Sequence, residues 1–178
     1  MKCMLALLGF GLLLTALGAQ TPRPSALPEF LRPLQDDLLD RLVGSWELTG
    51  TMQGQQLQQA CSAQWVLNHQ FVHLHCRESK HPPLLGLPYE ADMYIGYDGT
   101  TRRYVAHLLD IFGQIAPSLG YAERSGNKLV FLFEDSAGAI ENSMSWTPAG
   151  DTWHVSIRQR RNGPWSAFAE KELRRTKP

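Results

Sequence analysis

Leu42-Val43-Gly44-Ser45-Trp46-Glu47-Leu48-Thr49-Gly50 is the point at which the chain changes its period. Upstream, apolar residues recur at helical spacing. From Gly44 onward they fall in short alternating runs divided by turn residues. A Gly-x-Trp at the head of the first such run, followed by strands and turns alone, predicts an all-β antiparallel up-and-down closed barrel.

Downstream, about ten strands are predicted at 46–53, 56–67, 70–79, 90–97, 102–110, 118–124, 128–133, 140–147, 152–160 and 165–174. Turn residues separate most of them: Asn68-His69, Asp98-Gly99, Ser125-Gly126-Asn127, Ala137-Gly138, Pro148-Ala149-Gly150-Asp151 and Asn162-Gly163-Pro164. Closing a meander of short strands into a barrel removes both sheet edges. A two-sheet sandwich asks for longer crossovers than these turns supply.

Upstream of Gly44, Leu34, Leu38, Leu39 and Leu42 share one face of a helix expected over 34–43, with Asp36, Asp37, Asp40 and Arg41 on the other. Such a helix needs an apolar surface to cover, and the open end of a barrel is one. Residues 20–33, with Pro22, Pro24, Pro28 and Pro33, read as an extended lead. Residues 1–19 read as a secretory signal peptide: Lys2, an uncharged Leu-rich run, then small residues through Ala19. The alternative is an uncleaved anchor helix. The barrel domain is expected over 34–175, in an exported protein, periplasmic or secreted, with no membrane contact after cleavage.

The full sequence of 178 residues suits one domain, and its 17 basic and 17 acidic residues give no reason to expect nucleic acid.

In the hairpin around Asn68-His69, a two-residue turn sets Trp65 opposite Val72, Ala63 opposite Leu74 and Cys61 opposite Cys76. The other face carries Val66 with Phe71, Gln64 with His73 and Ser62 with His75. One face is apolar and the other mixed. The two-residue turn makes Cys61 and Cys76 a hydrogen-bonded pair, with wide Cβ spacing for a disulfide. Export favours oxidation. A disulfide and two buried thiols both stay open. In the following hairpin, a loop over 98–101 sets Asp92 opposite His107 and Tyr94 opposite Val105, with Met93 and Ile95 facing Ala106 and Tyr104.

His73-Leu74-His75 places two imidazoles on one strand face, which His107 or Glu78 could complete as a metal set. A polar barrel wall is the plainer reading, and no HExxH or CxxC spacing accompanies it, so neither metal nor cofactor is expected. Asp92, Asp110, Glu134 and Asp135 read as strand-end acids, and no Gly-x-Ser-x-Gly frame marks a hydrolase. No catalytic residue is assigned. Strand aromatics lining a barrel of this size suit a cavity for one small, largely apolar ligand. The expected lining is Trp65, Phe71, His73, His75, Tyr94 and His107. Residues 111–117, with Gly113, could form a lid. The alternatives are a metal or haem protein or enzyme using His73, His75 and His107, and a structural or interaction barrel with no ligand.

Leu42-Val43-Gly44-Ser45-Trp46, Trp65-Val66-Leu67 with Phe71, Tyr94-Ile95-Gly96-Tyr97-Asp98, Gly120-Tyr121 and Lys171-Glu172-Leu173-Arg174 occur in order. In this series the chain resembles the calycin superfamily, lipocalins and fatty-acid-binding proteins, and more nearly a lipocalin-like bacterial family of unknown function, DUF1579. The resemblance implies that Trp46 closes the barrel base beneath a basic residue of the last strand, Arg174 or Lys171. The related nitrobindins hold haem through a histidine near the C-terminus, but no histidine follows His154 here.

Overall fold

The computed structural model describes residues 28, 31–79, 86–113, 118–136 and 138–176. The expected signal peptide, most of the Pro-rich lead and residues 114–117 of the expected lid lie outside them. Met1–Arg32 forms a separate unit from Pro33–Pro178, which holds the barrel.

Ten strands form one closed antiparallel barrel, each paired with its neighbours in sequence and the last with the first. They are β1 (Gly44–Met52), β2 (Gln55–Val66), β3 (Phe71–Glu78), β4 (Glu90–Asp98), β5 (Arg103–Asp110), β6 (Leu119–Ser125), β7 (Lys128–Asp135), β8 (Gly138–Thr147), β9 (Thr152–Arg160) and β10 (Ser166–Arg175). All ten match an expected segment. The apolar alternation points inward: Leu57, Cys61 and Ala63 on β2, Val72, Leu74 and Cys76 on β3, and Leu129, Phe131 and Phe133 on β7 are all buried. At Gly50 the barrel has no room for a side chain, because an added Cβ would lie 2.1 Å from the Glu170 carbonyl oxygen. Closure of β1 on β10 therefore requires glycine at that point.

The β2–β3 register is the expected one, Cys61 opposite Cys76 and Val66 opposite Phe71. The turn is not. It holds four residues, 67–70, and Leu67, Asn68 and His69 all take positive φ. The Cα atoms of Cys61 and Cys76 stand 4.1 Å apart and the sulfurs are bonded. That is the close spacing of a non-hydrogen-bonded pair, so the alternation is offset by one from that of a two-residue turn. The objection to a disulfide falls with the turn. The bond closes a loop of 15 residues, so Cys61→Ser with Cys76→Ser should destabilise the barrel by up to about 3 kcal/mol in urea denaturation.

The β4–β5 hairpin corrects the second register. Its ladder runs to Asp98 opposite Arg103, which sets Tyr94 against His107, Ile95 against Ala106 and Asp92 against Leu109. Asp98 accepts from Thr100 N (2.9 Å) and from the Thr101 hydroxyl (2.8 Å). The four-residue loop thus starts one residue later than expected, every pair moves by two, and each side chain keeps its face.

The expected ten-residue helix is one turn, α1 (Asp37–Asp40). Asp36 is extended and accepts from Leu38 N and Leu39 N, which starts the helix after the first predicted turn. Leu34 N instead donates to the carbonyl of His69 (2.9 Å). Leu38, Leu39 and Leu42 are buried and close one barrel end with Trp46 and Trp153.

That end is bound by side chains reaching the carbonyls after α1, which a helix terminus leaves without partners. Trp46 Nε1 donates to Leu42 O (2.7 Å) and Trp153 Nε1 to Arg41 O (3.3 Å). Arg175 donates to Val43 O (2.8 Å) and Arg41 O (3.0 Å), and pairs with Asp151 (2.6 Å). Its guanidinium lies 4.1 Å from the Trp46 ring centre. The expected partner of Trp46 is therefore corrected from Arg174 or Lys171 to Arg175. Leu173 faces inward, so Arg174 faces outward beside Glu172, and Arg175 opposite Trp46 returns to the inner side. Hydrogen bonding to Arg175 holds the Asp151 carboxyl below its usual range, outweighing the effect of its burial. Tyr104 OH donates to Asp36, and burial with that bond pushes the phenol up to about 12.

Candidate functional site

The opposite end of the barrel opens into a cavity of two adjoining compartments that share lining residues. The outer, of about 320 Å³, lies between strand ends and includes Met52, Leu57, Phe133, Ile140 and Phe168 in its wall. The inner, of about 90 Å³, lies against Leu48, Leu74, Met93, Met144 and Val155. Tyr89, Leu108, Asn142, Ile157 and Lys171 line both. The outer volume is at the scale of small-molecule sites.

Asp110, Gln159 and Arg161 also line the outer compartment, and three further polar side chains sit among the inward-facing strand residues. Gln59, Asn142 and Lys171 occupy inward positions on β2, β8 and β10, each in series with buried neighbours two residues away: Leu57 and Cys61, Met144, and Ala169 and Leu173. Gln59 Nε2 and Asn142 Oδ1 are buried and make no hydrogen bond among the described residues. A buried polar atom left so costs about 1–3 kcal/mol, and a ligand can recover it. Lys171 stands opposite Gly50 on β1 and Val155 on β9. Its accessible surface faces the cavity, while protein packed around the amine desolvates it and brings its pKa down to about 8. No carboxylate among the described residues lies within ion-pair distance of Lys171. At neutral pH the amine is therefore chiefly an ammonium in an apolar cavity, an arrangement that favours an incoming anion.

At the rim, Tyr89 OH donates to Asp110 Oδ2 (3.2 Å), and burial first, then the Asp110 charge, pushes the phenol well above its usual range. Glu78, an outside candidate by sequence, points inward, is buried and accepts from Tyr89 N (3.2 Å).

The expected lining residues do not meet in this cavity. Phe71, His73, His75, Tyr94 and His107 sit on the outer wall, because the buried apolar side chains of β3, β4 and β5 include Val72, Leu74, Cys76, Ala91, Met93, Ile95, Tyr104 and Ala106, on the other face. The apolar hairpin face turned in and the mixed face turned out. Phe71 covers Gly96 of β4, where an added Cβ would lie 2.7 Å from the ring. Trp65 belongs to the closed end: its Nε1 donates to Asp40 (2.8 Å), and its ring stacks on His69 at 3.9 Å. Only Cys76 of the bonded pair touches the inner compartment. His154 is exposed, 3.5 Å from Glu172.

Outside, His73, His75 and Asp92 form one cluster. His73 Nε2 donates to Asp92 Oδ1 (2.6 Å), and His75 Nδ1 donates to the same oxygen (3.0 Å). Burial raises the Asp92 pKa, but these bonds and the histidine charges outweigh it and hold the carboxyl below its usual range.

Compared with protein-family models and with curated proteins, the chain matches none.

Proposed function

We propose that this protein is an exported barrel that binds one small, largely apolar molecule bearing an acidic group, without covalent chemistry. The apolar body fills the outer compartment, and the acidic head meets Lys171, with Gln59 and Asn142 as further polar partners. The observation that carries this reading is Lys171, with no carboxylate at ion-pair distance among the described residues, in a cavity walled mostly by aliphatic and aromatic side chains. Burial of ligand surface contributes roughly 25 cal/mol per Å², and the ammonium selects the head group.

Export is part of the proposal, supported by the signal-like start and by the disulfide, which persists in oxidising compartments. Kinship with the calycins and DUF1579 is also proposed, supported by Trp46 of the Gly-x-Trp beneath an arginine of the last strand. A haem held inside by His73, His75 or His107 is not part of it, since all three lie outside the barrel.

Calorimetry with octanoate, 1-octanol and octylammonium tests the reading. Octanoate should bind one to one, octanol at least about tenfold more weakly, and octylammonium not measurably. Affinity for octanoate should fall about tenfold between pH 7 and pH 9, as the free protein's Lys171 loses its proton near pH 8. Equal binding of octanoate and octanol would overturn the assignment of the head group.

A further inference from the structure

We infer that the outer wall carries a site for one divalent transition-metal ion, held by His73, His75 and Asp92. This is independent of the cavity, which lies on the other face of the same strands.

The donor set arises from strand geometry. Alternation on β3 brings His73 and His75 to the same face. The β3–β4 register sets Asp92 opposite His75 and Tyr94 opposite His73. One donor atom from each of His73, His75 and Asp92 lies within 4.8 Å of the other two. Tetrahedral zinc with bonds of about 2.0–2.1 Å needs its donors roughly 3.3 Å apart. The Asp92 oxygen is already 2.6 Å and 3.0 Å from the two imidazole nitrogens, close to that spacing, and the two nitrogens lie within 4.8 Å of each other. On binding, the ion replaces the protons that now lie between each imidazole and Asp92.

The surroundings orient these donors. Tyr94 stacks on His73 at 4.4 Å and 6°, which sets the plane of that ring. His75 turns its other nitrogen toward Glu90 Oε1 at 3.5 Å, and Glu90 lies 3.8 Å from Arg77. A carboxylate behind a ligating imidazole fixes the tautomer and raises its basicity. His73 and His75 are 21% and 35% exposed in their side chains, so an ion can reach both. Two imidazoles and one carboxylate suit zinc, copper(II) or nickel(II) over magnesium or calcium, and leave one position for water.

Zinc titration of tag-free protein by calorimetry, with cobalt(II) absorption as a second readout, tests the site. The expected result is one ion per chain and visible bands of cobalt bound through nitrogen and oxygen. Affinity should fall at least about tenfold in His73→Ala, His75→Ala and Asp92→Asn, and about tenfold in Glu90→Gln. His107→Ala and His154→Ala should bind as the unmodified protein does. Thermal melts of each variant establish that it folds. No uptake of either ion, or an affinity that His73→Ala and His75→Ala leave unchanged in folded protein, would overturn the assignment.

Discussion

Lys171→Met is expected to stabilise the empty barrel while sharply weakening its affinity for acidic ligands. Methionine has a similar length and no charge, and it adapts to irregular apolar space. The folded pKa of Lys171, about 8, lies below its ordinary value of 10.5. The unfolded chain therefore holds more protons between those two values, and the buried ammonium opposes folding in full below pH 8. Removing it should add about 3 kcal/mol at pH 7 in urea denaturation. The advantage of the variant should shrink as pH rises from 8 toward 10.5, because the native amine then folds without its charge. Octanoate affinity should fall roughly 10- to 100-fold with the loss of a buried charge-assisted hydrogen bond. A variant that is less stable at pH 7, or that binds octanoate unchanged, would remove Lys171 from the site.

Trp46→Ala should have the largest effect on stability of any single change at the closed end. The side chain is 1% exposed. It holds Leu42 O through Nε1 and lies under Arg175. Truncation to alanine should cost about 3–5 kcal/mol, and Trp46→Phe, which keeps most of the ring, about 1–2 kcal/mol. Hydrogen exchange should locate the damage: amides of residues 37–43 should lose protection more than those of β5 to β7. Equal loss throughout the barrel would mean that Trp46 supports general packing and is not a specific latch for the segment.

Strand number and order were legible because each strand is a short alternating run and most carry turn chemistry at both ends. Asp98-Gly99, Ser125-Gly126-Asn127 and Asn162-Gly163-Pro164 all lie at or between strand ends in the structure. Turn detail was harder to read. Asn68-His69 resembles a two-residue turn, but Leu67 also takes positive φ, so the turn holds four residues and the cysteines come close enough to bond. The helix shrank for a local reason too, since the side chain of Asp36 competes for the first amide groups.

The site was less legible than the fold. The histidines and aromatics that stand out in the sequence belong to the outer wall, where Phe71, His73, Tyr94 and His107 lie across neighbouring strands. The informative signal was the reverse, a polar residue inside an apolar alternation. Leu57-x-Gln59-x-Cys61, Ile140-x-Asn142-x-Met144 and Ala169-x-Lys171-x-Leu173 each contain one. Strand alternation assigns those three side chains to the interior once the apolar face is taken as the inner one.

Native mass spectrometry of the full-length protein, expressed and purified without added ligand, tests the central claim most directly. The account predicts a one-to-one adduct that organic solvent releases as a small apolar acid, absent from Lys171→Met. A bare polypeptide mass that stays bare after incubation with octanoate would contradict it.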